Sequence, residues 1–370
     1  MSARLVVVPG VAAAVAVMLV GFWIADVAGQ WVLAARGLGG GSPISGVPVA
    51  IILGLLVRNL AGLPAWLAPG LKFSVSTVLR AGIVLVGIKL SALEMLRLGL
   101  AGVPVVLAAI ATGLLFVTWF NRRLGLPPRL GTLVAAGTSI CGVTAIVSTA
   151  PAIEADEREV AYAVANVVAF GLFGMLTYPY LAHALLGHSE TIGLFLGTAV
   201  HDTSQVVGAA LTYQQLYADD VVLRVATVTK LTRNLFLAAV IPLLTWMHVR
   251  ATRTGSSAVR AASWTSYVPA FVLGFVAMAL ARSIGDAMLA GGGAAYGVWD
   301  DSGWKAVTAL LGDAMGSRWL LGTAMAAVGL NTSVAVFRGV GLRPFAVGFA
   351  GALTVGAVGM AMAILLGRFI

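Results

Sequence analysis

Long apolar runs with few charged residues recur along this chain, and they constrain its fold more than any other feature. The runs lie near residues 5–24, 47–57, 75–88, 98–120, 130–153, 160–186, 191–213, 221–247, 268–281, 319–337 and 345–366. A run of about twenty apolar residues can cross the hydrocarbon core of a bilayer as an α-helix, whereas barrel strands alternate over roughly ten residues. The sequence therefore predicts an all-α polytopic membrane protein with about eleven transmembrane helices, forming a single transporter domain over residues 1–370.

Composition and charge distribution exclude several other classes of protein. Of the 370 residues, 60% are hydrophobic and 10% are charged, and the formal net charge is +9. Basic residues collect in short connections near residues 122–129, 250–260 and 338–343, and Arg4 precedes the first run. Loops that remain on the cytoplasmic side typically carry such residues. We therefore expect contact with the lipid bilayer, no nucleic-acid partner, a cytoplasmic N-terminus and an extracytoplasmic polar connection at about residues 283–305.

Two polar interruptions and one charged cluster break the apolar sequence between residues 131 and 234. The interruptions are residues 137–144 and 197–205, and the cluster is residues 230–234. Glycine and hydroxyl residues at membrane depth allow a helix to unwind, and the freed backbone groups then need a partner. We therefore predict broken helices and a binding site. Its candidate substrate-binding residues are Thr138, Ser139, Cys141, Gly142, Thr144, Thr203, Ser204, Gln205, Lys230, Arg233 and Asn234.

Asp202 and His201 are the candidate ion-coupling residues. Nearly all of the fourteen acidic residues lie in loops or at the ends of runs, and Asp202 is the exception. An ionisable group at membrane depth is costly and is by default a functional candidate. Imidazole titrates near neutral pH, so His201 could relay a proton. The alternatives are that Asp202 lies near the membrane surface and that His201 only makes a hydrogen bond.

Lys230 and Arg233 are three residues apart and share one helix face. A guanidinium can form a planar fork to an oxyanion, and an ammonium supplies a point charge. Backbone amides at the start of a half-helix near Thr144 would add to the attraction for an anion. The alternative is that the two cations neutralise Asp202 or extend to the membrane surface.

The remaining chemistry-bearing residues argue against an enzyme. The single cysteine, Cys141, excludes an internal disulfide and a cysteine-based metal cluster, and a buried free cysteine usually packs as a small apolar side chain. The sequence contains no phosphate-binding loop of Walker type, no zinc-protease motif and no nucleophile elbow. We therefore predict neither enzymatic activity nor a metal or other cofactor.

Two pairs of segments resemble each other, as the repeats of a transporter would. Residues 87–91 resemble residues 329–333, and counting the runs places the two segments in opposite directions across the membrane. A second pairing relates residues 137–138 to 197–198, and residues 155–156 to 218–219. The same count places both segments of this second pair in the same direction across the membrane, which does not fit an inverted repeat. Either one segment is re-entrant or the second pairing arises by chance.

The two interruptions and the charged cluster also resemble a known family. The strings Gly-Thr-Ser-Ile-Cys-Gly-Val-Thr-Ala-Ile at residues 137–146, His-Asp-Thr-Ser-Gln-Val-Val at 201–207 and Lys-Leu-Thr-Arg-Asn at 230–234 are similar to those of the bacterial YeiH-like family, usually labelled sulfate exporters. The family often has Cys-Gly-Gly-Ser-Ala where this chain has Cys-Gly-Val-Thr-Ala. The resemblance implies the inner membrane of a bacterium and an architecture of inverted repeats with broken helices, as in bile-acid symporters and sodium/proton antiporters.

From these observations we predict a secondary active transporter that exports a small oxyanion, sulfate or an organosulfonate, with protons or sodium as the coupling ion. The first alternative is a cation/proton antiporter centred on Asp202. The second is a membrane sensor or scaffold that transports nothing, although no soluble output domain is visible in the sequence. A homodimer is left open as the oligomeric state.

Overall fold

The computed structural model describes residues 3–35, 42, 44–252, 270–333, 335 and 341–367. Within these residues the chain is helical and contains no β-strand, apart from an isolated bridge between Ala295 and Trp299. The α-helices are α1 (Ala3–Ala35), α2 (Gly46–Leu56), α3 (Ala68–Phe73), α4 (Leu79–Val86), α5 (Ala92–Arg123), α6 (Pro128–Ser139), α7 (Val143–Thr149), α8 (Glu157–Leu185), α9 (Ser189–Ala199), α10 (Thr203–Tyr217), α11 (Asp220–Leu235), α12 (Leu237–Thr252), α13 (Ala270–Ala290), α14 (Asp301–Ala309), α15 (Gly322–Asn331) and α16 (Leu342–Leu366).

Six continuous helical stretches in the described part of the chain are long and apolar enough to cross a membrane. They are Val6–Ala35, Ala65–Lys89, Ala92–Arg123, Glu157–Leu185, Ala270–Ala290 and Leu342–Leu366, and a seventh is possible if α11 and the first part of α12, bent by 41°, form one span. These helices confirm an all-α polytopic membrane protein. The number eleven stays a prediction, and parts of the predicted spans 268–281 and 319–337 lie outside the described residues, as do Arg36, Arg253, Arg260 and Arg338.

Two predicted spans are divided into shorter helices, and the breaks fall inside the polar interruptions. The run at residues 130–153 forms α6 and α7, separated at residues 140–142, and the run at residues 191–213 forms α9 and α10, separated at residues 200–202. Gly142 has a φ of 68°, a left-handed conformation that glycine adopts without steric cost. Val200 has an extended conformation with a ψ of 138°. The predicted unwinding of both helices is therefore confirmed.

The chain divides into two compact units. Unit 1 contains the described residues within 1–97, 211–224 and 270–334, and unit 2 contains those within 98–210, 225–269 and 335–370. The predicted polar connection at residues 283–305 belongs to unit 1, and it is shorter than expected. Helix α13 continues to Ala290 and α14 begins at Asp301, so the non-helical part is residues 291–300.

The hydrophobic core of unit 2 encloses the broken helix formed by α6 and α7. Side chains from α5, α8, α12 and α16 pack around Leu133 and Val134 of α6 and Ile146 of α7. Gly113 of α5 allows a close approach to α6, since a Cβ at that position would lie 2.3 Å from Ser139 Oγ. The core therefore fixes the end of α6 at which the chain unwinds.

The second pair of similar segments has the same local structure in both copies. Gly137–Thr138 and Gly197–Thr198 each lie in the last turn of a short helix, α6 and α9. The helix that follows each broken pair is capped by an aspartate. Asp156 Oδ1 accepts from the Glu159 amide at 2.7 Å, and Asp219 Oδ1 accepts from the Val221 amide at 2.9 Å. Whether the two copies are inverted stays a prediction.

Candidate functional site

All thirteen candidate residues lie in unit 2, where the breaks of two helices meet one face of α11. Helix α6 ends at Ser139 and α9 ends at Ala199, so both leave backbone carbonyl groups without intrahelical partners. Such groups are costly to bury without a hydrogen bond. The geometry of the site follows from how α11 supplies the missing donors.

Arg233 is completely buried and joins the C-terminal ends of α6 and α9. Its Nε donates to the Ser139 carbonyl at 2.7 Å and its Nη2 donates to the Thr138 carbonyl. Its Nη1 donates to the carbonyls of Thr198 at 2.8 Å and Val200 at 3.3 Å. A guanidinium has five N–H groups, so at most one is left for another partner.

Lys230 lies one turn earlier on α11 and contacts the same two breaks. Its side chain is 1% exposed, and its Nζ donates to the carbonyls of Ile140 at 2.8 Å, Val200 at 3.4 Å and His201. An ammonium has three N–H groups, so these three carbonyls satisfy it. Within the described residues neither Lys230 nor Arg233 forms an ion pair with a carboxylate.

The positions of the two cations match the electrostatics of the helices. The C-terminal end of a helix carries a partial negative charge equivalent to roughly half an elementary charge. Two such ends, from α6 and α9, point at Lys230 and Arg233. The cations therefore compensate backbone charge in this structure. Their predicted role as direct ligands of an oxyanion stays a prediction, and it requires some of these carbonyls to be released.

Asp202 lies at the opposite kind of helix end. It precedes α10, and its Oδ1 accepts from the Ser204 amide at 2.9 Å and from the Ser204 hydroxyl at 2.5 Å. The Gln205 side chain accepts from the Asp202 amide at 3.1 Å, which completes a reciprocal cap of α10. A carboxylate at a helix N-terminus is favourable because the amides there carry partial positive charge. Capping therefore accounts for one of the two carboxylate oxygens.

The second oxygen of Asp202 faces the other break. A Cβ placed on Gly142 would lie 3.2 Å from Asp202 Oδ2 and 3.1 Å from Asp202 Cβ. Gly142 is the residue before α7, so the carboxylate lies beside the start of both α7 and α10. Asp202 is partly exposed, in contrast to the buried cations. The ion-coupling role of Asp202 stays a prediction.

Three neutral side chains complete the polar surroundings. Gln205 Nε2 donates to the Val168 carbonyl of α8 at 3.3 Å, and Asn234 Nδ2 donates to Thr203 Oγ1 at 3.2 Å. Gly171 of α8 makes room for Gln205, since a Cβ there would lie 1.9 Å from Gln205 Oε1. The sequence analysis did not select Gly171, and no pattern within one helix identifies a glycine that faces a side chain from another.

Several buried polar atoms of the predicted site have no hydrogen-bond partner among the described residues. They are His201 Nδ1, Ser139 Oγ and Asn234 Oδ1. The His201 side chain is 1% exposed. An unpaired buried polar atom is unfavourable, and such atoms often mark a functional position or one that water or an ion satisfies. The ion-coupling role of His201 stays a prediction.

Cys141 and Thr144 occupy different environments although both flank the break between α6 and α7. Cys141 is 4% exposed, and its thiol is free. Thr144 is exposed, as is Ser148 one turn later on α7. The sequence analysis missed Ser148 because it follows the polar interruption. The spacing of Thr144 and Ser148, four residues apart, is the signal that places both on one helix face.

The spanning helices define a polytopic α-helical membrane protein, with two broken helices and buried charges at the breaks. The family model described as "Conserved hypothetical protein 698" matches residues 9–348. The chain belongs to this family, whose relatives are named UPF0324 membrane proteins. This confirms the resemblance to the YeiH-like family.

Three relatives show how far the similarity extends. A UPF0324 membrane protein of Streptococcus pneumoniae is 36% identical over 240 residues, which is 65% of this chain and 70% of the relative. One from Ralstonia nicotianae is 32% identical over 330 residues, covering 85% and 83%. One from Fusobacterium nucleatum is 27% identical over 335 residues, covering 89% and 92%. These names identify a membrane protein and state no substrate.

Replacing Arg233 with Ala should destabilise the protein by about 3–5 kcal/mol, because it leaves the carbonyls of two buried helix ends without donors. Thermal unfolding in detergent measures the effect. The control is Arg129→Ala, which removes an exposed arginine whose Nη2 lies 3.8 Å from Glu154 Oε2. Exposed pairs contribute at most about 1 kcal/mol. Equal unfolding temperatures for the two variants would show that Arg233 does not hold the helix ends.

Replacing Gly171 with Ala should displace the Gln205 side chain and break its hydrogen bond with the Asp202 amide. We expect a loss of about 1 kcal/mol, since the far end of a flexible side chain can move without shifting the helix. Gly99→Ala is the matched control, because Gly99 also lies inside a helix and a Cβ there would make only ordinary contacts, the nearest at 3.6 Å from Thr232 Oγ1. Thermal unfolding of both variants checks the prediction, and an unchanged Gly171→Ala protein contradicts it.

Proposed function

We propose that this protein is a secondary active transporter of the bacterial inner membrane that moves a small oxyanion, with a proton on Asp202 as the coupling ion. The observation that supports this proposal is the distribution of charge around the breaks in unit 2. Two cations are buried at the ends of α6 and α9, and one carboxylate lies at the starts of α7 and α10. Two positive charges and one negative charge leave one positive charge in excess.

An excess positive charge in a low-dielectric region favours an anionic ligand. The two cations make most of their contacts with backbone carbonyls, so a bound anion would feel their field rather than displace them. The directional donors available to it are the amides at the start of α10 and the hydroxyl of Thr203. An anion bound by these donors would overlap the position that the Asp202 carboxylate occupies.

Competition between Asp202 and the substrate gives a coupling mechanism. When Asp202 is ionised, its carboxylate is the anion at the helix starts and repels a second anion. When Asp202 is protonated, its negative charge is removed and an external oxyanion is favoured by the same helix ends. Anion binding and proton binding therefore favour each other, as linkage requires when each ligand increases the affinity for the other.

Helix α7 offers an access route to this position. Thr144 and Ser148 are exposed although they lie in a short helix within an apolar run. Polar groups at membrane depth are tolerated where they line a water-filled cavity. We propose that the face of α7 bearing these two hydroxyl groups lines an aqueous path to Asp202.

The resemblance to proteins labelled sulfate exporters favours sulfate or an organosulfonate as the substrate. It also favours export as the direction of transport. A cation/proton antiporter is the second candidate. The observation that favours it is Asp202 Oδ2, which lies beside Gly142 and has no hydrogen-bond partner among the described residues. In that mechanism a sodium ion would replace the proton on Asp202, and oxyanions would have no effect.

Thermal unfolding of the purified protein with sulfate, thiosulfate, phosphate and methanesulfonate at constant ionic strength tests the substrate class. A ligand at a hundred times its dissociation constant should stabilise the folded protein by about 2.7 kcal/mol. We expect this stabilisation to increase as pH falls, and Asp202→Asn to remove the pH dependence, because asparagine caps α10 equally well but cannot ionise. Stabilisation by sodium alone, lost in Asp202→Asn, would support the antiporter instead.

Cysteine labelling tests the access route, and the chain suits it because Cys141 is its single, buried cysteine. In a Cys141→Ser background we expect Thr144→Cys and Ser148→Cys to react with a membrane-impermeant thiol reagent. Ala145→Cys is the matched control, since Ala145 is 0% exposed on the same helix. We further expect a bound oxyanion to slow the reaction at position 144. Absence of labelling at both exposed positions would contradict an aqueous path along α7.

A further inference from the structure

A groove in unit 1, distinct from the candidate site in unit 2, combines exposed aromatic rings with charged groups. Its volume is about 770 Å³. Phe22 and Trp23 of α1 and Trp319 of the π-helical segment Leu310–Leu321 form aromatic walls, and Asp26, Asp313 and Arg318 supply charge. None of these residues has a role in the function proposed above.

Two of the three charged side chains have no partner within the described part of the chain. Asp26 and Arg318 are exposed and make neither a hydrogen bond nor an ion pair with a described residue. Asp313 differs, because its Oδ1 accepts from Lys89 Nζ at 2.5 Å. The Lys89 ammonium is shared with Asp220 at 2.7 Å. Asp313 is therefore already paired, and the groove presents one carboxylate, on Asp26, and one guanidinium, on Arg318, that are available to a ligand.

The surroundings of the groove include the residues that precede α2. Ser42 follows α1, and its hydroxyl donates to the Ala25 carbonyl at 2.9 Å. Ser45 precedes α2 and donates to Gln215, near the end of α10, at 2.8 Å. Trp23 and Trp319 are 66% and 49% exposed. Trp23 lies at the end of the apolar run 5–24 and Trp319 at the start of the run 319–337, and exposed tryptophans at such positions are typical of the boundary between lipid and water.

We propose that this groove binds the headgroup of a zwitterionic phospholipid that carries a primary ammonium, as phosphatidylethanolamine does. The ammonium donates to the carboxylate of Asp26, and the guanidinium of Arg318 forms a fork to the phosphate. The faces of Trp23 and Trp319 add a favourable interaction with the cationic group. The acyl chains then extend along the apolar surface of α1.

The charge pattern distinguishes this headgroup from the other common ones. An anionic headgroup without an ammonium could pair with Arg318 but would leave the Asp26 carboxylate beside it without a cation. A choline headgroup is cationic but has no N–H group to donate to Asp26. General contact of tryptophan with lipid, by comparison, would not depend on the headgroup.

The proposal is tested by measuring how much lipid the detergent-purified full-length protein retains. The protein is incubated with phosphatidylethanolamine, phosphatidylcholine or phosphatidylglycerol of identical acyl chains, and native mass spectrometry measures the bound lipid. We expect phosphatidylethanolamine to be retained at least about threefold more than the other two, which corresponds to roughly 0.7 kcal/mol. Asp26→Asn and Arg318→Gln should each remove this preference. Both positions are exposed, so neither change should unfold the protein.

Two controls separate a site from general lipid contact. Arg97→Gln and Asp301→Asn change exposed charged residues of unit 1 that do not line the groove, and both should keep the preference. Equal retention of the three lipids by the unchanged protein would overturn the proposal. A preference that persists in both groove variants, or disappears equally in the controls, would also overturn it.

Discussion

The hydrogen bonds from Arg233 and Lys230 to the carbonyls at the ends of α6 and α9 are the interaction on which the rest of unit 2 depends. A helix that stops inside a bilayer leaves carbonyl groups that lipid cannot satisfy. Here one face of α11 supplies the donors, and the carbonyls of residues 138–140, 198, 200 and 201 accept them. Without these cations the breaks would be unstable, and the helix starts beside Asp202 would lose their fixed position.

The same interaction explains why the site is asymmetric in charge. Cations lie at the C-terminal ends of α6 and α9, and a carboxylate lies at the N-terminal ends of α7 and α10, so each charge is opposite in sign to the helix dipole it faces. The cations are buried and donate seven hydrogen bonds to backbone carbonyls, while Asp202 is partly exposed and its Oδ2 has no hydrogen-bond partner among the described residues. The carboxylate end is therefore the accessible part of the site, and the proposed function assigns the response to protons and substrate to it.

The sequence predicted the class of fold and the positions of both breaks, because long apolar runs and clustered small polar residues are local signals. It also selected Lys230, Arg233 and Asp202. The partners of those residues were beyond its reach, since backbone carbonyls are identical at every position and only the fold shows which helix ends meet α11. For the same reason the capping role of Asp202 and the space that Gly171 leaves for Gln205 became visible only in three dimensions. Family membership adds a relationship to other membrane proteins, and the printed names of those relatives carry no substrate.

The most direct test of this account is the number of protons taken up for each oxyanion bound, measured by calorimetric titration at neutral pH in two buffers of different ionisation enthalpy. If the Asp202 carboxylate and the substrate compete for the starts of α7 and α10, binding must neutralise Asp202, and roughly one proton should be taken up per anion. Asp202→Asn should bind the anion with no proton uptake. Anion binding without proton uptake by the unchanged protein, or uptake that persists in Asp202→Asn, would contradict the account.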